Sequence, residues 1–455
     1  MNPSRPRGVP TLILVAALAT LAAAARAAHA DFQVLTVGKV AYFENRGDPE
    51  LNGGVVIVGR DRALQALLDP RCPAASVVEI EAYLQSTFRD AILARVELDC
   101  AKWSTAGAEY RYSDPTGTVR SIVYGRSGLR MDVRGRGYTP ISGPVGFLQA
   151  QLQIGDQILR ARFHNFRRND GQVVRSRRPS IAAARGEAGF WDAMLGDDSS
   201  EASEQETVRL LQAAVRRDPR DGRSHFLLAM LHLYRFGQRV NRYDDVSTEA
   251  RAELRAANSA FALAVPLLWD GGRGAGDSRV PGFAAAAKYL QGAVENDAAL
   301  RAEGVAELDR AIEVNGFFNL FDYITVLQFA PPSDPLFQHG STLVTTYLDD
   351  PETLQCAVTQ PEICGNAGLA PHGIQGALVL FGDVYAKAGN AERALSWYSL
   401  ADVFPDTQTW KFRAVLEDRK ANTAARVALY ADDDPTNDPP LIGAGAEACS
   451  VCHTR

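Results

Sequence analysis

The hydrophobic pattern of this chain changes period once, between about residues 179 and 204, and this change limits the possible folds most. Before it, short β-rich runs with alternating apolar residues are bounded by Gly, Pro, Asp or Asn, which predicts antiparallel strands. After it, apolar residues recur at helical spacing. A chain of 455 residues is also too long for one small domain. The sequence therefore predicts an α+β multidomain protein.

The first folded part is predicted to be an antiparallel, sandwich-like β-rich domain over residues 31–185. A turn signal at Asp114-Pro115-Thr116-Gly117 and a second connection at Ile154-Gly155-Asp156-Gln157 separate runs of strand character. Val77 to Leu98 has apolar residues at mixed helical spacing, so we expect one helix to interrupt the strands there. The predicted strands are 32–37, 54–58, 120–124, 129–133, 148–154 and 157–163.

The second folded part is predicted to be helical, over residues 204–428, after a linker at 186–203. The stretch 374–406 resembles a tetratricopeptide repeat of about 34 residues, with matching residues at Leu378, Phe381, Gly382, Tyr385, Ala394, Tyr398 and Ala401. Its final proline, Pro405, comes one residue early. The resemblance implies neighbouring repeats, because a lone repeat cannot bury its apolar face. An irregular helical bundle is the alternative.

The first thirty residues have the pattern of a secretory signal peptide. A basic start precedes an apolar run from Thr11 to Ala25, and Ala28-His29-Ala30 fits the small-residue rule for cleavage. The run is shorter than the roughly 20 residues that span a bilayer. We therefore expect cleavage after Ala30, a periplasmic or secreted location and no stable membrane span. A retained membrane anchor is the alternative.

Net charge argues against one class of partner. With 48 Lys and Arg against 54 Asp and Glu, the chain carries a formal charge of −6. A protein whose main partner is nucleic acid needs an excess of cations to neutralise phosphates. The sequence therefore predicts no nucleic-acid partner.

The last seven residues, 449–455, carry the most specific motif of the chain. They follow a predicted linker, residues 429–448, in which three prolines and several acids disfavour a helix. Cys449-Ser450-Val451-Cys452-His453 resembles the attachment signature of c-type haem proteins. The resemblance implies one covalent haem c, with thioether bonds to Cys449 and Cys452 and with His453 as proximal iron ligand. The prolines predict that this tail is tethered.

Three other interpretations of the cysteine pair remain. A redox dithiol needs a helix start after a strand to set the thiol pKa, and here a linker precedes the motif. A zinc site needs a fourth ligand besides Cys449, Cys452 and His453. A surface disulfide is the third alternative.

The remaining candidate ligands and cysteines are less constrained. His372 comes just before the first helix of the best repeat, so it is the candidate sixth iron ligand. His225 and His232 share a face of an apolar helix and are expected to be core or groove residues. Sequence alone permits three connectivities among four cysteines. We favour the local pairs, Cys72 with Cys100 and Cys356 with Cys364, because each stays within one predicted domain.

These features together predict an exported electron-transfer protein. The helical repeats would dock a redox partner protein or an envelope complex, and the haem tail would pass electrons. The alternative is a non-redox envelope scaffold whose C-terminal cysteines form a disulfide or a zinc site. We expect no enzyme, because no hydrolase or nucleotide-binding motif is present. The third possibility is peroxide or small-gas chemistry at an open iron position.

Overall fold

A computed structural model describes most of the chain after residue 30. The described residues are 31–34, 38–43, 54–59, 69–84, 89–125, 128–134, 145–155, 157–163, 166–169, 173–176, 181–195, 200–240, 246–269, 277–328, 330–350, 374–432, 434 and 437–442.

The N-terminal region folds as two β-sheets. One sheet has five strands in the order β1-β11-β10-β4-β5, and the other has eight in the order β12-β13-β2-β3-β9-β8-β7-β6. All neighbours are antiparallel except the parallel pair β1 and β11. The strands are β1 (Asp31–Val34), β2 (Gly38–Phe43), β3 (Gly54–Gly59), β4 (Ser76–Leu84), β5 (Arg89–Leu98), β6 (Trp103–Ala106), β7 (Glu109–Ser113), β8 (Val119–Gly125), β9 (Gly128–Arg134), β10 (Val145–Ile154), β11 (Gln157–Phe163), β12 (Phe166–Asn169) and β13 (Val173–Ser176).

One apolar core lies between the two sheets, as in a β-sandwich. Ile80 of the five-stranded sheet and Ile122 of the eight-stranded sheet belong to the same buried cluster, and neither is exposed to solvent. The indole N–H of Trp103 donates to Ser76 Oγ across the sheets at 3.2 Å. Buried polar groups are costly when unpaired, so this bond also favours one alignment of the sheets.

The predicted helix at Val77 to Leu98 is wrong. The segment forms β4 and β5, which pair antiparallel with a register shift between Ile80 and Glu81. Val78 and Ile80 point into the core, whereas Glu79 between them pairs with Arg95 across the strands. Short apolar runs match helical and strand templates equally well. Burial of Val78 and Ile80 against the eight-stranded sheet stabilises the strand conformation.

A disulfide joins the segment before β4 to the segment after β5. Cys72 and Cys100 are bonded, with their Cα atoms 4.9 Å apart. This is the local pair favoured from the sequence. Cys356 and Cys364 lie outside the described residues.

The C-terminal region contains eleven described helices. They are α1 (Ile181–Leu195), α2 (Glu201–Arg217), α3 (Gly222–Arg239), α4 (Thr248–Leu268), α5 (Val280–Glu295), α6 (Ala298–Val314), α7 (Gly316–Leu327), α8 (Pro335–Asp349), α9 (Ile374–Lys387), α10 (Ala391–Leu400) and α11 (Arg413–Tyr430). Consecutive helices pack together in the pairs α1 with α2, α3 with α4, α5 with α6 and α9 with α10.

Helix α1 changes the boundary between the two regions. It starts within the predicted β-rich domain and covers most of the segment 186–203 that was predicted as a linker. Phe190 and Met194 on α1 are buried in a cluster with Leu211 of α2. Gly186 lets the two helices approach closely, since a Cβ there would lie 2.7 Å from Leu211 Cδ2. The helical region therefore begins near residue 181.

Helices α9 and α10 form a tightly packed hairpin where the best repeat was predicted. Phe381 and Tyr385 on α9 and Tyr398 on α10 are buried. A Cβ on Gly382 would lie 2.3 Å from Tyr398 Cε1, so the close approach requires glycine. Among the described residues, no helix is long and apolar enough to cross a membrane.

Candidate functional site: a clamp for the C-terminal segment

The predicted haem-binding residues lie just beyond the described part of the chain. Cys449, Cys452 and His453 are outside it, as is His372. The structure does describe residues 437–442, which lie within the predicted linker 429–448. The candidate site is therefore built from the groups that hold this preceding segment.

Asp383 is the centre of the site. It lies in the middle of α9 and is fully buried. Its Oδ1 accepts hydrogen bonds from Tyr398 Oη at 2.7 Å and from Arg419 Nε at 2.9 Å. Arg426 Nη2 lies 3.7 Å from the same oxygen. A buried carboxylate needs such partners, because desolvation without them costs several kcal/mol.

Helix α11 supplies the other polar groups from one face. Its buried positions include Arg419, Arg426 and Tyr430, spaced seven and four residues apart. Such spacing places side chains on the same side of a helix. We call Asp383, Arg419, Arg426 and Tyr430 the clamp.

The clamp binds the backbone of residues 439–442, which we call the strap. Tyr430 Oη donates to Pro439 O at 2.6 Å. Pro440 O accepts from Arg419 Nη2 at 3.1 Å and from Arg426 Nη2 at 3.0 Å. The N–H of Ile442 donates to Asp383 Oδ2 at 2.6 Å. Both oxygens of the carboxylate are thus used, one within the helical region and one on the strap.

Apolar burial adds to these bonds. Leu441 and Ile442 are each 3 % exposed and belong to the main core of the helical region. Full burial of such a side chain contributes about 1.5–3 kcal/mol. The prediction of a free linker over residues 429–448 is therefore wrong for the strap. Prolines do exclude a helix there, but an extended segment can still bind through its carbonyls and its apolar side chains.

Lys387 lies beside the clamp at the end of α9. It is buried, and its ammonium donates to the carbonyls of Leu327 at 3.2 Å and Gln328 at 3.1 Å, at the end of α7. The ammonium also lies over the rings of Phe337 and Tyr430. Burial lowers the pKa of Lys387 to about 8, partly offset by the charge of Asp438. Lys387 thus connects the end of α9 to the end of α7 and packs beside Tyr430 of the clamp.

The three histidines in the described part of the chain each have a ring nitrogen in contact with a protein oxygen. His225 Nε2 is 3.2 Å from Pro219 O, and His225 is buried. His232 is also buried, with Nδ1 2.5 Å from Glu253 Oε2. His225 thus contacts the turn before α3 and His232 links α3 to α4, and both are buried, as expected of core or groove residues. His339 Nε2 is 3.1 Å from Asp309 Oδ1 on the surface.

Comparison with known proteins gives no family assignment, since no protein family, curated protein or solved structure matches the chain. Within the described ranges, no group of three or more His, Cys, Asp and Glu side chains is placed to hold a metal ion.

The clamp was missed by sequence reasoning. Two features of the sequence relate to it. Polar residues recur at helical spacing in α11, and the apolar pair Leu441-Ile442 follows a proline-rich stretch. Both signals are common in surface segments. Only the packing of α9 against α11 brings Asp383 to the two arginines.

Proposed function

We propose that this protein is an exported c-type haem protein that transfers electrons through its C-terminal tail. The observation that carries the proposal is the motif Cys449-x-x-Cys452-His453, seven residues after the anchored Ile442. The donor set fits haem c: two thiols at the spacing of the porphyrin vinyl groups and an adjacent imidazole. A haem held there supplies a one-electron Fe(III)/Fe(II) couple.

The compartment is part of the same proposal. Covalent haem attachment takes place outside the cytoplasm, and the signal pattern with cleavage after Ala30 agrees with export to the periplasm or the exterior. The Cys72–Cys100 disulfide is of the kind that persists in oxidising compartments. We assign Cys356 and Cys364 to a second disulfide on the same basis.

The helical region is proposed to dock the redox partner protein or an envelope complex. Its hairpins, α9 and α10 above all, support a tetratricopeptide-like role in protein binding. His372 remains the proposed sixth iron ligand. It precedes α9 by two residues, and Asp383 on α9 holds the strap.

A haem assay tests this function. Protein expressed with a haem-maturation system should have the mass of residues 31–455 plus one haem, and should give a reduced pyridine haemochrome spectrum. The double variant Cys449→Ala, Cys452→Ala should lose both. Colourless protein of unmodified mass from such cells would overturn the proposal.

The second candidate is a non-redox envelope scaffold in which Cys449 and Cys452 form a disulfide or bind zinc. It is favoured by the paired packing of the helices, which is typical of protein-binding helical repeats. Metal analysis combined with free-thiol counting separates it from the haem protein. One zinc per chain, or a haem-free protein with no free thiol, would support the scaffold.

A further inference from the structure

The clamp holds the last described residues before the C-terminal tail. Its three residues on α11 and Asp383 on α9 hold the strap by four hydrogen bonds, all to backbone atoms of residues 439, 440 and 442. We infer that the clamp is a positioning device, which holds the haem-attachment motif close to α9 and α11. This inference rests on the proposed function.

The length of chain before Cys449 shows how strongly the clamp restricts the position of the motif. Six residues separate Ile442 from Cys449, whereas eighteen separate Tyr430 from it. An extended chain spans at most about 3.3–3.6 Å per residue, so the clamp reduces the maximum reach from about 65 Å to about 25 Å. The volume open to the motif falls with the cube of its reach, by about 18-fold. The clamp therefore raises the effective concentration of the motif near the helical surface.

The composition of the strap suits binding by carbonyls. Pro439 and Pro440 have no N–H group, so their backbones need only donors, and the clamp supplies them from Tyr430, Arg419 and Arg426. Proline also limits the conformations of the free segment, which lowers the entropic cost of binding. The N–H of Ile442 meets the buried carboxylate of Asp383.

The loop before the strap is closed by contacts of its own. Tyr430 is the last residue of α11, and its hydroxyl bonds to Pro439, nine residues later. Asn437 Nδ2 donates to Asp432 Oδ2 at 2.8 Å within the loop. Residues 431–438 therefore return the chain to the helix from which it departed. The strap therefore lies against α11, whereas a free linker would extend away from the helical region.

The test uses the full-length mature protein with and without the attachment cysteines. The variant Leu441→Ala, Ile442→Ala removes the apolar anchors of the strap and substitutes no residue of a helix. Tyr430→Phe removes one clamp bond by a conservative change. Leu429→Ala is the matched control, since Leu429 lies on α11 but is exposed and outside the core.

The first measurement is amide hydrogen exchange at Ile442 in the Cys449→Ala, Cys452→Ala protein, which needs no haem. We expect Ile442 to exchange at least about 100-fold more slowly than an unstructured amide. The double strap variant should lose most of this protection, and Leu429→Ala should keep it. Exchange at the unstructured rate in the parent protein would overturn the inference.

The second measurement is the quenching of tryptophan emission by haem in the holoprotein, since Trp397 and Trp410 lie in the same core as the strap. Energy transfer falls with the sixth power of distance, so quenching should decrease at least about twofold in the double strap variant and less in Tyr430→Phe. Equal quenching in the double strap variant and in the wild type would overturn positioning even if Ile442 is protected. A protein with protected Ile442 but no haem would instead overturn the proposed function and remove the role inferred for the clamp.

Discussion

The carboxylate of Asp383 accepts the backbone N–H of Ile442 at 2.6 Å, across 59 residues of sequence. The same carboxylate is paired with Arg419 inside the helical core. One buried charge thus holds both the α9–α11 contact and the segment before the C-terminal motif. Stability of the helical region and binding of the strap are consequently linked.

We expect Asp383→Ala to destabilise the helical region by about 3–5 kcal/mol, because it leaves two buried arginines without their carboxylate. Urea unfolding followed by circular dichroism measures the loss. Asp418→Ala is the control, since Asp418 is exposed on α11, and it should change the free energy of unfolding by less than about 1 kcal/mol. A loss of similar size in both variants would contradict the central role of Asp383.

Gly282→Ala should destabilise the protein by about 1–3 kcal/mol. A Cβ at this position of α5 would lie 2.4 Å from Asp322 Oδ2 and 2.5 Å from Asn319 Oδ1. Both are buried on α7, so neither can move into solvent. Thermal or urea unfolding measures the change. An alanine variant as stable as the wild type would show that α5 and α7 are farther apart.

The stability of the helical region should rise with pH above about 8. The folded pKa of Lys387 is lowered to about 8 by burial, whereas an unfolded lysine has a pKa near 10.4. Between these values the unfolded chain binds more protons, so the free energy of unfolding increases with pH.

Lys387→Met should remove this rise. Between pH 8 and pH 9.5 the wild type should gain about 1–2 kcal/mol relative to the variant, as measured by urea unfolding at each pH. Lys411→Met, at an exposed lysine, is the control and should follow the wild type. Parallel pH curves for wild type and Lys387→Met would refute the prediction.

Reduction of the Cys72–Cys100 disulfide should destabilise the β-sandwich by about 3 kcal/mol, since the bond closes a loop of 28 residues. Urea unfolding with and without dithiothreitol measures this, with the variant Cys72→Ala, Cys100→Ala as a second test. The helical region should keep its midpoint in the double variant. A double variant with an unchanged sandwich transition would count against a structural role for the bond.

Regular patterns of the sequence predicted the coarse fold well. Alternation in segments such as residues 120–124 and 129–133 predicted strands that the structure contains as β8 and β9. Helical spacing predicted the hairpin of α9 and α10, and Gly382 indicated its close packing. These elements were predictable because the spacing of apolar residues within one segment indicates its secondary structure.

Val77 to Leu98 shows where local pattern was insufficient. Its apolar residues are compatible with a helix, and only pairing with β10 and burial against the second sheet make it β4 and β5. Helix α1 likewise depends on its partner, because Phe190 and Met194 become core residues only against α2 and α3.

By itself, the sequence determined the spacing of apolar residues in each region and the Cys449-x-x-Cys452-His453 motif, because both depend only on residues close together in the chain. Only the tertiary structure decided that residues 439–442 are clamped. The bonds that hold them come from side chains on α9 and α11, and the buried carboxylate of Asp383 acquires its partners only when those helices pack. The proline-rich stretch forms no helix, and its carbonyls at Pro439 and Pro440 instead accept hydrogen bonds from buried residues of α11.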